Sequence, residues 1–137
     1  MHREREIMEE ITFTLPLPPS INTAYADVIK RDAEGKQYVK RIGTSALQEF
    51  KADVRYILFD QGIHQDSWKD IEQIGYDATF YFRSKASDLD NRIKPLQDSL
   101  SDFLGFNDNR IYAFHPYKRI DAETPRVEVR LFVIKER

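Results

Sequence analysis

The stretch S-D-L-D-N-R-I-K, residues 87–94, puts two carboxylates and an ammonium into one short run. Asp88 and Asp90 come directly after a strand-like segment. In an extended chain, residues two apart project to the same face, roughly 7 Å from each other. Brought to ~4 Å, two such charges repel by about 4 kcal/mol at an effective dielectric of about 20. A hard divalent cation with oxygen ligands offsets that repulsion. A third acid, Asp108, lies in G-F-N-D-N-R, residues 105–110. Lys94 follows Asp90 by four positions, close enough to set an ammonium beside a phosphate held at a metal.

Each residue also has an ordinary structural use. Asp and Asn ahead of a helix serve as caps, and Asp88, Asp90 and Asn91 all suit that place. Asp90 and Lys94 form a common i,i+4 pair, worth about 0.3–0.5 kcal/mol. Asp108 between two asparagines fits turn chemistry. A calcium loop is excluded, because the fifth position after Asp88 is Arg92 and the required glycine is missing. Phe80, Phe82, Phe103 and Phe106 read as core side chains, not base-stacking platforms. His115, before Pro116, reads as structural or exposed.

Ile11, Phe13 and Leu15 alternate with Thr12 and Thr14, which predicts a short strand ending at Pro16. L-P-P-S-I-N (17–22) reads as a rigid, non-helical connection, since its prolines fix the backbone and remove donors. The turn signal D-A-E-G (32–35), between Val28 and Val39, predicts a hairpin. Ser45 and Gln48 have capping-box spacing. Behind them Leu47, Phe50, Val54, Ile57 and Leu58 recur at helical intervals up to a stop at Gly62. Residues 76–83 read as a strand. A second helix carries Ile93, Leu96, Leu100, Phe103 and Leu104 inward to Gly105. Pro95 belongs in a first turn, so regular helix is expected to begin near Lys94, with 88–93 as loop. Strands at about 111–119 and 126–134 complete an α+β fold, a small mixed sheet with two main helices packed on one face.

The 137 residues suit one domain, expected at 11–137 behind a charged extension at 1–10. Cysteine is absent, which excludes disulfides, thiolate zinc sites and cysteine nucleophiles, and suits a reducing compartment such as the cytoplasm. His2, His64 and His115 are too scattered for a histidine-rich metal site. No apolar run approaches membrane-spanning length, so no membrane partner is expected. A net charge of −2 argues against a uniformly basic nucleic-acid binder. Basic residues nevertheless concentrate between Arg83 and Arg130.

The chain resembles the RusA family of Holliday-junction resolvases from Ile11 to about Val133. The resemblance rests on P-P-S-I-N (18–22), D-L-D-N with the following Lys94, Asp98 further along, and the G-F-N-D-N-R turn. It implies a small α/β homodimer with two active sites, acting on branched DNA and above all on four-way junctions. The family's metal ligands fall on Asp88, Asp90 and Asp108, and its essential lysine falls on Lys94. The implied reaction is Mg²⁺-dependent phosphodiester hydrolysis in recombination and repair, with Mn²⁺ able to substitute. Flaps or forks are the alternative substrates, and a catalytically silent binding module the alternative class. Two Mg²⁺ per chain would bring the formal charge from −2 to +2. Arg83, Lys85, Arg92, Arg110, Lys118 and Arg119 are the candidates for contacts to the DNA backbone, which read shape and charge, not bases. Pro95 departs from an ordinary helix former at its position.

Overall fold

The alternating pattern that predicts a strand at 11–15 is part of a longer one. In a computed structural model, which describes residues 5–136, β1 spans Arg5–Leu15 and pairs antiparallel with β6, Arg126–Glu136. Residues 1–4 of the expected extension lie outside the described residues. β6 also pairs antiparallel with β4, Ile74–Phe82, and β4 pairs in parallel with β5, Ile111–Ile120. The sheet order is therefore β1-β6-β4-β5, a mixed sheet with β5 at one edge. A separate two-stranded ribbon pairs β2, Tyr25–Arg31, with β3, Gln37–Gly43, around the anticipated turn.

Period-two alternation gives this sheet one apolar face. Phe13, Leu15, Tyr76, Ala78, Phe80, Val127, Val129 and Leu131 are buried together. The opposite face holds Asp77, whose carboxylate meets His115 Nδ1 at 3.0 Å and Arg130 Nη1 at 3.0 Å. His115 is thus a surface ion-pair residue, an arrangement that contributes little to stability. No helix among the described residues is long and apolar enough to cross a membrane.

The apolar face is covered by α2, Ser45–Asp60, and α3, Asp90–Leu104, which pack on each other. α2 buries Leu47, Phe50, Val54 and Leu58 at the predicted spacing. Its cap is Thr44 instead of Ser45: the Thr44 hydroxyl accepts from the Leu47 amide, and Ser45 is already helical. A further difference concerns residues 17–22, where α1, Ile21–Ala24, forms one helical turn. The prolines restrict the chain only as far as Ser20, whose carbonyl then accepts from the amides of Thr23 and Ala24 at 3.0 and 2.8 Å.

α3 begins four residues earlier than Pro95 led us to expect from Lys94, at Asp90. The proline withholds only the amide that would bond the Asn91 carbonyl, within the first turns, and its ring is buried in the core beside Leu96. Burial of that ring offsets one missing hydrogen bond. Ser99, one turn on, is buried and donates its hydroxyl to the Pro95 carbonyl at 2.7 Å. Phe103 and Phe106 are buried, as are Phe80 and Phe82, in agreement with the core assignment.

α3 stops at Gly105, whose φ of +87° is left-handed. A methyl there would lie 2.8 Å from Asp66 Oδ1 and 3.0 Å from Asp66 Cα. Gly62, after α2, has a φ of +82° but open space around it. Gly62→Ala should cost about 1–2 kcal/mol from the left-handed backbone alone. Gly105→Ala should add an overpacking cost of about 1–3 kcal/mol. Urea unfolding midpoints of the two variants check the order, and equal losses would show that the Asp66 contact yields freely.

Candidate active site

Helix α3 carries the candidate residues, and its two ends lie at opposite ends of the sheet. Asp88 and Asp90 follow β4, whose last residue, Phe82, pairs with Ile120 at the end of β5. Asp108 precedes β5, whose first residue, Ile111, pairs with Ile74 at the start of β4. Fifteen helical residues separate the two groups. At ~1.5 Å per residue that is about 20 Å.

At the first end, the chain through 88–90 is not extended. Leu89 is helical in conformation, with φ −62° and ψ −47°, so the two-residue argument for a shared face does not describe Asp88 and Asp90. Leu89 occupies the cap position without a side-chain hydrogen bond, so neither aspartate caps α3. Asp90 sits in the first turn, where a negative charge meets the positive end of the helix dipole. Asp88 accepts from Asn91 Nδ2 at 3.4 Å, and both aspartates are exposed. The loop before them is tied down by Lys118, whose Nζ donates to the carbonyls of Lys85 at 2.8 Å and Ser87 at 2.5 Å. Arg92 donates to the Pro18 carbonyl at 2.6 Å and lies over the Phe82 ring. Its burial lowers its pKa from the usual arginine value.

At the second end, Asp108 opens a 3₁₀ turn, Asp108–Arg110. The cap is Asn107, whose side chain accepts from the Asn109 amide at 3.1 Å, so the turn does not use the Asp108 carboxylate. Asp108 is exposed.

Between the ends, the base of the ribbon leans on α3 and bounds an open cleft of about 630 Å³ with α2. Tyr25 donates its hydroxyl to Asp98, and Lys94 Nζ meets the same carboxylate at 3.1 Å. Lys94 therefore pairs forward with Asp98, not back with Asp90. Arg41 lies 5.0 Å from the Tyr25 ring centre on the ribbon side. Burial, the bond to Asp98 and the nearby charges of Asp98 and Asp108 push the Tyr25 hydroxyl well above the usual tyrosine range. Burial first, then the charges of Asp108 and Asp98, does the same to Tyr76, whose hydroxyl donates to Gln97 at 2.8 Å. Both phenols therefore stay protonated and act as donors.

A family model described as "Endodeoxyribonuclease RusA" matches residues 16–132. The chain belongs to that family. The match runs through both ends of α3, so the RusA assignment covers D-L-D-N, Lys94 and the Asp108 turn together. No curated protein matches the chain. Among solved structures the chain is similar to 2C-methyl-D-erythritol 2,4-cyclodiphosphate synthase from Plasmodium vivax, at 8% identity over 96% of this chain and 93% of that one. The TM-score is 0.30, and the likeness carries no argument.

RusA-type chemistry with a divalent cation needs carboxylate oxygens within about 2 Å of one ion. Among the described residues no group of three or more His, Asp and Glu side chains is close enough to hold one. Asp88, Asp90 and Asp108 of a single chain therefore do not fit one metal. The six cations proposed for DNA also divide. Arg83, Lys85, Arg92, Lys118 and Arg119 lie around the Asp88 end, whereas Arg110 closes the Asp108 turn. Tyr25 and Arg41 went unnoticed in the sequence because their place beside Asp98 depends on how the ribbon docks, which no local pattern encodes.

Lys118 and Lys85 should separate structural from DNA-contacting cations. Lys118→Met removes charge-assisted bonds to two carbonyls and should destabilise by about 1–3 kcal/mol without DNA. Lys85→Met should be neutral in stability. Urea denaturation, with proteolysis of the 83–89 loop, checks this, and equal stability of the two variants would reject the tethering role.

Proposed function

We propose that this chain is an endonuclease for branched DNA, four-way junctions above all, that works as a homodimer and nicks two strands at symmetric positions. The observation that carries the reading is a RusA family match that spans both acid-bearing ends of α3. The non-capping state of Asp88 and Asp90, and the idle carboxylate of Asp108, support it, because the ordinary uses of these residues are not taken up. The proposal includes a divalent metal, with Mg²⁺ the expected ion and Mn²⁺ a substitute, and a role in recombination and repair.

In this reading Asp88, Asp90 and Asp108 are the essential acids. Lys94 is half-exposed, so its ammonium can leave Asp98 for a DNA phosphate and neutralise charge that develops there. Arg83, Lys85 and Arg119 are exposed and free to follow a phosphate backbone. Arg92 and Lys118 hold the platform in place while adding positive potential to it. Tyr25 donates to Asp98, which then retains a partner when Lys94 turns away.

A nicking assay on a four-way junction, a flap and plain duplex in parallel tests the substrate. Preferred paired nicking of the junction is expected, while equal cutting of flap and junction would place the protein among general branched-DNA nucleases. Asp88→Asn, Asp90→Asn and Asp108→Asn should each abolish cutting while leaving junction affinity largely intact. Lys94→Ala should slow single-turnover cleavage by about 100-fold while weakening binding much less. A variant that cuts at the wild-type rate removes its residue from the site.

A further inference from the structure

The acids that the nuclease reading needs in one place are held apart by the fold. Asp88 and Asp90 lie where β4 and β5 end; Asp108 lies where they begin. No hinge in α3 could close that gap, because the helix between them is continuous and buries Leu96, Leu100, Phe103 and Leu104. We infer that each active site is shared between two chains, with Asp108 of a second copy joining Asp88 and Asp90 of the first. This rests on the proposed assignment of the acids and adds where the third one comes from.

The edge of the sheet supplies a way to do it. Among the described strands β5 pairs only with β4, so its other side presents unpaired backbone groups. Its exposed side chains include Tyr117 at 46% and Ile120 at 50% exposure, large apolar groups on a strand rim. Two copies joined antiparallel along β5 are related by a two-fold axis, and such an interface uses the same patch on both. If that axis is normal to the sheet, both α3 helices stay on one side of the joined sheet.

An antiparallel match exchanges strand ends. Ile111 of one copy lies across from Ile120 of the other, and the turn holding Asp108 is carried to the end that bears Lys118, Arg119, Asp88 and Asp90. The charges complement one another there: one acid from the second copy enters a rim of cations around two acids. Pro116, near the middle of β5, has no N–H and removes one donor from the joint. The pairing therefore rests on the stretches to either side of it. In the isolated chain Asp108 meets no cation partner among the described residues, as expected of a side chain whose place is on another copy.

Crossed heterodimers decide the point. Chains carrying different affinity tags are co-expressed, purified through both tags and assayed on a junction with Mg²⁺. A dimer of Asp90→Asn with Asp108→Asn should recover cutting, at one strand per junction, because one shared site keeps all its acids. A dimer of wild type with the double variant Asp90→Asn/Asp108→Asn should be inactive, because each shared site then lacks an acid. Sites confined to one chain give the opposite pair of results and overturn the inference. If the Asp90→Asn and Asp108→Asn homodimers themselves cut normally, the assignment of the acids fails first. A measurement without DNA adds a second readout. Mg²⁺ should tighten wild-type dimerisation at least tenfold in sedimentation, and should not do so for Asp108→Asn, since an ion bridging two chains binds only the dimer. Equal tightening in both, or none in either, contradicts the bridge.

Discussion

The parallel pairing of β4 with β5 governs the arrangement of this molecule. Two parallel neighbours cannot be joined by a tight turn, so the chain must travel back along the sheet before β5 begins. α3 makes that return, and its length sets the distance between whatever precedes it and whatever follows. Asp88 and Asp90 precede it and Asp108 follows it. The same helix supplies the core contacts that make the layer stable, including fully buried Leu96, Leu100 and Leu104. Stability and the placement of the acids are thus consequences of one crossover. Loosening it to bring the acids together would expose the core.

The ends of the crossover are built differently. The Asp88 end is rigid, with Lys118 holding two loop carbonyls and Arg92 reaching to Pro18. The Asp108 end is a single 3₁₀ turn stabilised by Asn107 and anchored by the left-handed Gly105. A fixed platform and a short projecting turn suit an arrangement in which one copy offers its turn to the other's platform. Between them the ribbon carries Tyr25 to Asp98. It stands largely exposed, with Ile29 and Val39 paired across its strands at 70% and 69% exposure.

Much of this was legible from residue order. The strands at β1, β4 and β6 announce themselves by period-two alternation, and α2 by its helical spacing from Leu47 to Leu58. The D-L-D-N run and Asp108 could be named because their types and order are specific. Local rules erred where tertiary packing outweighed them. Pro95 marks a helix start by propensity, yet α3 begins at Asp90 because the ring buries well. Ser45 fits a capping box, yet Thr44 caps, since its hydroxyl also donates to the Thr23 carbonyl at 2.7 Å. Extended geometry at 88–90 was assumed from the preceding strand, and Leu89 has already turned helical. The spacing of Asp88 and Asp108 across space could not be read at all. It depends on β5 joining β4 in parallel, a long-range pairing that no window of sequence contains.

The central claim is that one chain keeps the two groups of acids apart while two chains bring them together. The absence of cysteine makes distance labelling direct, because Ala86→Cys and Asn109→Cys introduce unique attachment points beside the two groups. Spin labels are placed on both positions of one chain, diluted into unlabelled protein, and compared with a mixture of singly labelled chains. The account predicts a separation on the order of 20 Å within a chain, set by the helix rise, and a distinctly shorter one between chains. A short distance within the diluted, doubly labelled chain, with none between chains, would contradict it.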